Sequence, residues 1–266
     1  MAVRNTIFAP LAALLLVVAS FSAASRAEEA SSKRFEVSGF TRIALKGSSH
    51  VQVIQGDSFE VVASGAEEIM PYAKAELHGD TLELSVEDYK NSWFGVITVS
   101  LDREVNYRVT LPKIEALKVT GSGEARADTL ESESLELRVT GSGEIRVDKV
   151  AAESLVTTVT GSGDLLVGTA LAVSGQASIT GSGDLRLDNF AGESLGVDIK
   201  GSGDMVVGGR VADLQIHLMG SGDFVGRNLK ADSAGGSVMG SGDIVIRRPG
   251  RDSFSVMGSG DIALVD

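Results

Sequence analysis

The sequence predicts an all-β protein: a parallel β-solenoid (β-helix) with coils of about 20 residues, preceded by a less regular β section. Three observations predict it. The tetrapeptide Gly-Ser-Gly-acid occurs eight times, beginning at Gly121, Gly141, Gly161, Gly181, Gly201, Gly220, Gly240 and Gly258, and self-similarity at a fixed period signals a repeat architecture. Each unit begins and ends with apolar–polar alternation, as in Ile145/Val147 and Thr157/Val159, which is the period of a strand. Aligned positions are apolar as columns, such as Val119, Val139, Val159, Ile179, Ile199, Leu218, Val238 and Val256. A single unit cannot bury its apolar face, whereas stacked copies can.

In the repeat corner, glycine supplies a positive φ without a Cβ clash. Serine is small enough to stack, and its hydroxyl is expected to bond a neighbouring rung. The acids (Glu124, Glu144, Asp164, Asp184, Asp204, Asp223, Asp243 and Asp261) are expected as structural turn residues that accept backbone N–H groups. The competing reading is a cation-recruiting carboxylate ladder, although the nine-residue calcium-binding pattern is missing. Between the two leading apolar columns stand Arg126, Arg146 and Arg186, later Val206 and Val225, so this column faces outward and grows apolar along the chain.

Residues 1–27 read as a signal peptide, with Arg4, an apolar run from Ile7 to Phe21, and Ser25-Arg26-Ala27 before the cut. Residues 28–33 read as a linker and 34–118 as irregular N-terminal β coils that cap the solenoid; 119–266 are the regular repeats. A short β-sandwich is the alternative for the N-terminal section. Within it, Gly47-Ser48-Ser49-His50 looks like a worn repeat corner with His50 in the acid's place. A helical turn is expected within 66–77, limited by Pro71, and a hairpin turn at Gly79-Asp80. At the other end, 261–266 start a coil and stop, leaving a strand edge through which an end-to-end homodimer is expected.

The chain has no Cys, which excludes a disulfide framework and a lipid-attachment cysteine. Its formal charge of −12 becomes −14 once Arg4 and Arg26 leave with the signal peptide. That acidity argues against nucleic acid and anionic membrane surfaces as partners. No membrane span is expected after signal cleavage, since the apolar run is shorter than the ~20 residues a span needs.

The segments FEVSGFTRIALKGSSHVQVIQGD, HGDTLELS and VTLPKIEALKVTGSGE and the run of GSGD corners resemble the bacterial family named putative auto-transporter adhesin, head GIN domain. The resemblance covers roughly residues 35–266. It implies a right-handed β-helix, export to the cell envelope (periplasm, outer surface or beyond) and an adhesin-like role, and it carries no catalytic residues. The eight residues after Gly258 leave no room for an outer-membrane barrel, so the auto-transporter part of the name is not expected to apply.

No catalytic constellation is legible. The three histidines His50, His78 and His217 are far apart, and no Ser-His-Asp set, metal-ligand spacing or phosphate loop is present. No cofactor is expected. A carbohydrate-active β-helix enzyme remains the alternative, and it would need an acid or His cluster that breaks the ladder on one face. A purely structural or cation-stabilised envelope protein is a third reading. The expected ligand-binding residues are Tyr89, Trp93 and Phe94, aromatics in one loop suited to a glycan or an envelope protein; covering the end of the solenoid is their competing role. A second candidate surface is the outward ladder Thr140, Thr160, Thr180, Lys200, Met219, Met239 and Met257, whose methionines could instead pack inside.

Overall fold

The structure is a computed structural model and describes residues 30–87 and 104–266. Four near-identical strands form its middle: β9 (Glu124–Gly141), β10 (Glu144–Gly161), β11 (Asp164–Gly181) and β12 (Asp184–Gly201). Each pairs in parallel with the next at an offset of 20 residues, so Ile145 lies beside Leu165 and Val159 beside Ile179. Each is one coil. Alternation is kept along its straight parts and skipped at its bends; in β10 the inward side chains are Ile145, Val147, Val150, Leu155, Thr157 and Val159. The stack continues through β13 (Met205–Gly220), β14 (Phe224–Gly226), β15 (Leu229–Gly240), β16 (Ile244–Arg247), β17 (Arg251–Gly258) and β18 (Ile262–Val265). The result is a β-solenoid of about eight turns.

The core is a stack of apolar ladders filled by alternating size. Phe190 is fully buried, and its ladder neighbours are Ala170 and Gly209. Phe224 is likewise buried, and a Cβ at Gly226 would stand 2.9 Å from its ring. That contact accounts for the glycine in an otherwise apolar column. Large beside small lets each ring fill the space its smaller ladder neighbours leave.

Both corner glycines are required, for different reasons. The first has φ between +112° and +142° in all eight copies, a region that L side chains avoid. The third sits against the coil before it: a Cβ at Gly143 would lie 2.5 Å from the Gly123 carbonyl oxygen and 2.7 Å from Val119. Rung spacing of about 4.8 Å leaves no room for it. The serines between them (Ser122, Ser142, Ser162 and their equivalents) are exposed. Their backbone N–H groups bond the first glycine's carbonyl of the preceding coil, and no hydroxyl bond to a neighbouring rung is found among the described residues, contrary to expectation.

Ahead of the regular coils lie β1 (Ala30–Phe35), β2 (Arg42–Gly47), β3 (His50–Gln55), β4 (Glu60–Ala66), β5 (Ala73–His78), β6 (Thr81–Val86), β7 (Asn106–Leu111) and β8 (Ala116–Gly121). The linker expected over 28–33 is a strand from Ala30 onward: β1 pairs antiparallel with β4, and Lys33 Nζ donates to the Ala73 carbonyl at 3.0 Å. The helical turn shrinks to a 3-10 turn at Met70–Tyr72, because Pro71 cannot donate to a longer helix. Gly79-Asp80 does close a hairpin, β5 with β6.

The N-terminal strands are not simply stacked in chain order. β2 pairs with β8 on one side and β6 on the other, and β3 pairs with β9 and β7. The first coil of the chain is thus enclosed between later strands. Antiparallel β1–β4 and β5–β6 lie beyond β7 and β2. Tyr107 fastens this end, its hydroxyl donating toward the carbonyls of Ser85 at 2.7 Å and Lys74 at 3.2 Å. Burial pushes the Tyr107 hydroxyl up to about 12, and the hydrogen bond to Lys74 offsets only part of it.

Candidate functional site

The first straight part of each coil presents outward rows. One row runs Asn106, His50, Glu124, Glu144, Asp164, Asp184, and the next runs Arg108, Gln52, Arg126, Arg146, Leu166, Arg186. Side-chain length decides what each acid does. The two glutamates turn sideways to the arginine two residues on: Glu124 to Arg126, and Glu144 to Arg146 at 2.9 Å. The shorter aspartates reach along the stack instead. Asp164, Asp184, Asp204, Asp223 and Asp243 each accept the backbone N–H of the next acid through Oδ1, at 2.8–3.3 Å. These five aspartates therefore tie one coil to the next, and among the described residues no group of three His, Asp or Glu side chains is placed to hold a metal.

His50 breaks the acidic row. Gly47 pairs with Gly121 and His50 with Glu124, so GSSH does occupy the corner position. Ser49 is buried at this corner, and the Val105 N–H donates to its Oγ at 3.4 Å. The imidazole lies between two carboxylates, with Nδ1 3.3 Å from Glu124 and Nε2 3.5 Å from Glu104. Burial alone would raise the Glu124 carboxyl, but Arg126 and His50 outweigh it and hold it below the ordinary range.

Around these groups lies a groove of about 530 Å³, within the range of ligand sites. Ser64 and Asn106 stand at one side, Arg108 and Gln52 on its floor, and Glu124, Arg126 and Asp128 at the other. In the sequence the three histidines stand far apart. The partners of His50 are 54 and 74 residues away in sequence, and only the pairing of β3 between β7 and β9 assembles them. The worn corner at 47–50 was the available signal.

Tyr89, Trp93 and Phe94 lie outside the described residues. The chain that carries them runs between Glu87 and Glu104, and Glu104 is the residue that meets His50. The outward ladder is confirmed as outward: Met219, Met239 and Met257 are in register and 49%, 38% and 73% exposed. His217 is also exposed, with Nδ1 3.2 Å from Ser237 Oγ. At the far end, β17 and β18 have neighbours on one side only among the described residues, and Val256 is 45% exposed where its ladder mate Val238 is fully buried.

A β-solenoid of stacked coils with glycine-serine corners defines a class of repeat proteins in which each coil contacts only its neighbours. The particular family follows from the sequence: residues 39–178 and 168–265 match the family described as "Putative auto-transporter adhesin, head GIN domain". The chain belongs to this family. Solved structures share its fold. A putative adhesin from Parabacteroides distasonis is 19% identical, with a TM-score of 0.79 over 90% of this chain and 98% of that one. A putative adhesin from Parabacteroides merdae is 19% identical, with a TM-score of 0.76 over 89% and 96%. A putative lipid binding protein from Parabacteroides distasonis is 17% identical, with a TM-score of 0.63 over 89% and 97%. No curated protein is detectably similar in sequence.

Proposed function

We propose that the protein is an exported, adhesin-like binding module of the cell envelope, without catalytic activity, whose ligand is a glycan or an envelope protein. One observation carries the reading. The repeat is interrupted at His50 by a polar groove, and the chain bearing Tyr89, Trp93 and Phe94 returns to the fold at Glu104 beside it. Aromatic rings stack on sugars and anchor protein partners, and polar groups bond their hydroxyls and amides. Family membership and the adhesin-named structural relatives support the same role. The signal peptide at 1–27 supports export, and no described helix is long and apolar enough to cross a membrane.

The test is a binding screen of the mature protein, Glu28 to Asp266, against envelope and host glycans and isolated envelope proteins, with Trp93→Ala in parallel. Retention of a glycan or protein that Trp93→Ala weakens is the expected outcome; a screen with no retained ligand of either kind sinks the reading. The same preparation reports on pairing through the β17–β18 edge: a single monomeric mass at tens of micromolar removes the homodimer.

A carbohydrate-active enzyme is the second reading, favoured by the very cluster that breaks the ladder, Glu104–His50–Glu124. Glycoside hydrolysis needs one carboxylic acid kept protonated near neutral pH. The surroundings of Glu124 do the reverse, since Arg126 and His50 favour its ionised form. Release of reducing ends from any bound glycan would reinstate the enzyme.

A further inference from the structure

We infer that the groove beside His50 is a subsite for a neutral, hydroxyl-rich oligosaccharide lying across strands β4, β7, β3 and β9, held by Gln52, Asn106, Arg108 and Asp128. The inference rests on the binding-module reading and deepens it.

The first argument is which groups are engaged. His50, Glu124 and Arg126 are committed to one another. The side chains of Gln52, Asn106, Arg108 and Asp128 are exposed, and none has a hydrogen-bond or ion-pair partner among the described residues. Two amides, one guanidinium and one carboxylate offer fixed donors and acceptors side by side. Adjacent sugar hydroxyls, each both donor and acceptor, match such a set.

The second argument is charge. The two uncommitted ionic groups, Arg108 and Asp128, balance each other. The chain as a whole carries −12, and such a field repels polyanions. A neutral ligand avoids that repulsion and need not strip a paired charge of its solvent.

The third argument excludes a peptide. Strand addition needs a free sheet edge. Here β7 is paired with β3 and β4, and β3 with β7 and β9, so no edge is open in the groove. A docked peptide would otherwise need apolar sockets for its anchors. The apolar residues under the groove, Val51 and Tyr107, are each only 2% exposed. Four strands at ~4.8 Å spacing give a floor about 14 Å wide, the span of a short oligosaccharide rather than of one sugar.

The experiment is calorimetric titration of the mature protein with neutral cello-, xylo- and manno-oligosaccharides, alongside uronic and sulfated chains, at low and high salt. The variants are Gln52→Ala/Arg108→Ala within the groove and Arg186→Ala outside it, all at exposed positions, with circular dichroism and unfolding midpoints as folding controls. A neutral oligosaccharide should bind with little salt dependence. The double variant should lose about tenfold or more, since two hydrogen-bonding side chains are removed, and Arg186→Ala should bind as wild type. Binding confined to anionic chains, loss of affinity with salt, or equal affinity in the double variant overturns the subsite. So does the absence of any neutral ligand. Binding of a glycan that responds to Trp93→Ala but not to the double variant overturns the subsite and leaves the module reading standing, whereas the absence of any glycan or protein ligand removes both.

Discussion

From Glu144 to Gly201 each coil is laid on the one made just before it, always at the same 20-residue offset. From Ala30 to Gly121 neighbours in space are mostly distant in sequence: Arg42 lies beside Ala116, and His50 beside Glu124. The regular part is held by repetition. Its glycines face glycines and its aspartates reach the next aspartate, so any position resembles its ladder mates. The N-terminal part is held by individual contacts, such as Tyr107 under the β5–β6 hairpin and Phe40 against Phe59 with ring centroids 5.0 Å apart. Repetition gives stability without singular residues. The groove around His50 forms where the two regimes meet, between β3 of the N-terminal part and β9 of the first regular coil.

Substitution of corner glycines tests this contrast most strongly. Gly163→Ala places a Cβ against the Gly143 carbonyl oxygen and 2.7 Å from Val139, in a ladder whose spacing cannot open. A loss of about 3–5 kcal/mol is expected, read as a fall of roughly 10 °C or more in Tm. Gly39, with φ +82° and nothing within 4 Å of its Cβ position, is the N-terminal counterpart. There alanine meets only backbone strain, about 1–2 kcal/mol. Equal losses at the two sites would break the comparison.

Tyr107→Phe probes the individually held part and should cost about 1 kcal/mol near neutral pH through the lost hydroxyl bonds. The pH dependence is sharper. Tyr107 is raised in the fold from 10.0 to about 12, so its contribution is complete below pH 10 and is lost as pH rises from 10 toward 12. That amounts to at most ~3 kcal/mol by linkage. Urea midpoints should therefore fall more steeply in the wild type than in Tyr107→Phe across this window; parallel curves would show that Tyr107 does not govern it.

The smallest effect belongs to the acid ladder. Asp204 accepts the Asp223 N–H at 2.8 Å. Asp204→Asn keeps an oxygen there and removes one repulsive charge, so its unfolding midpoint should match or slightly exceed the wild type. Asp204→Ala removes the acceptor and should cost about 1 kcal/mol. Calcium that raises the wild-type midpoint but not that of Asp204→Asn would give the ladder a cation role instead.

The regular coils were legible in the sequence because a period repeated eight times writes the same physical demand eight times. The columns, the outward arginines and the corner glycines all follow from that. The lone glycine at 226 needed the buried Phe224 ring to explain it. The capping pattern of β1 was hidden because ASSKRF carries no apolar stripe: it earns its place through backbone pairing with β4. The groove was hidden for a related reason. His50, Glu104 and Glu124 become neighbours only through the placement of β3 between β7 and β9, which no local pattern encodes.

The enclosure of β2–β3 also bears on how the chain comes into being. A polypeptide emerging from its N-terminus releases β2–β3 long before either flanking strand pair exists, since β6–β7 end at Leu111 and the β9 partners of His50 to Val53 end at Ala127. The opening third of the protein therefore has no finished place to settle until residue 127 is out. From that moment one locked coil presents a ready template, and the remaining turns can be wound onto it one after another as they arrive.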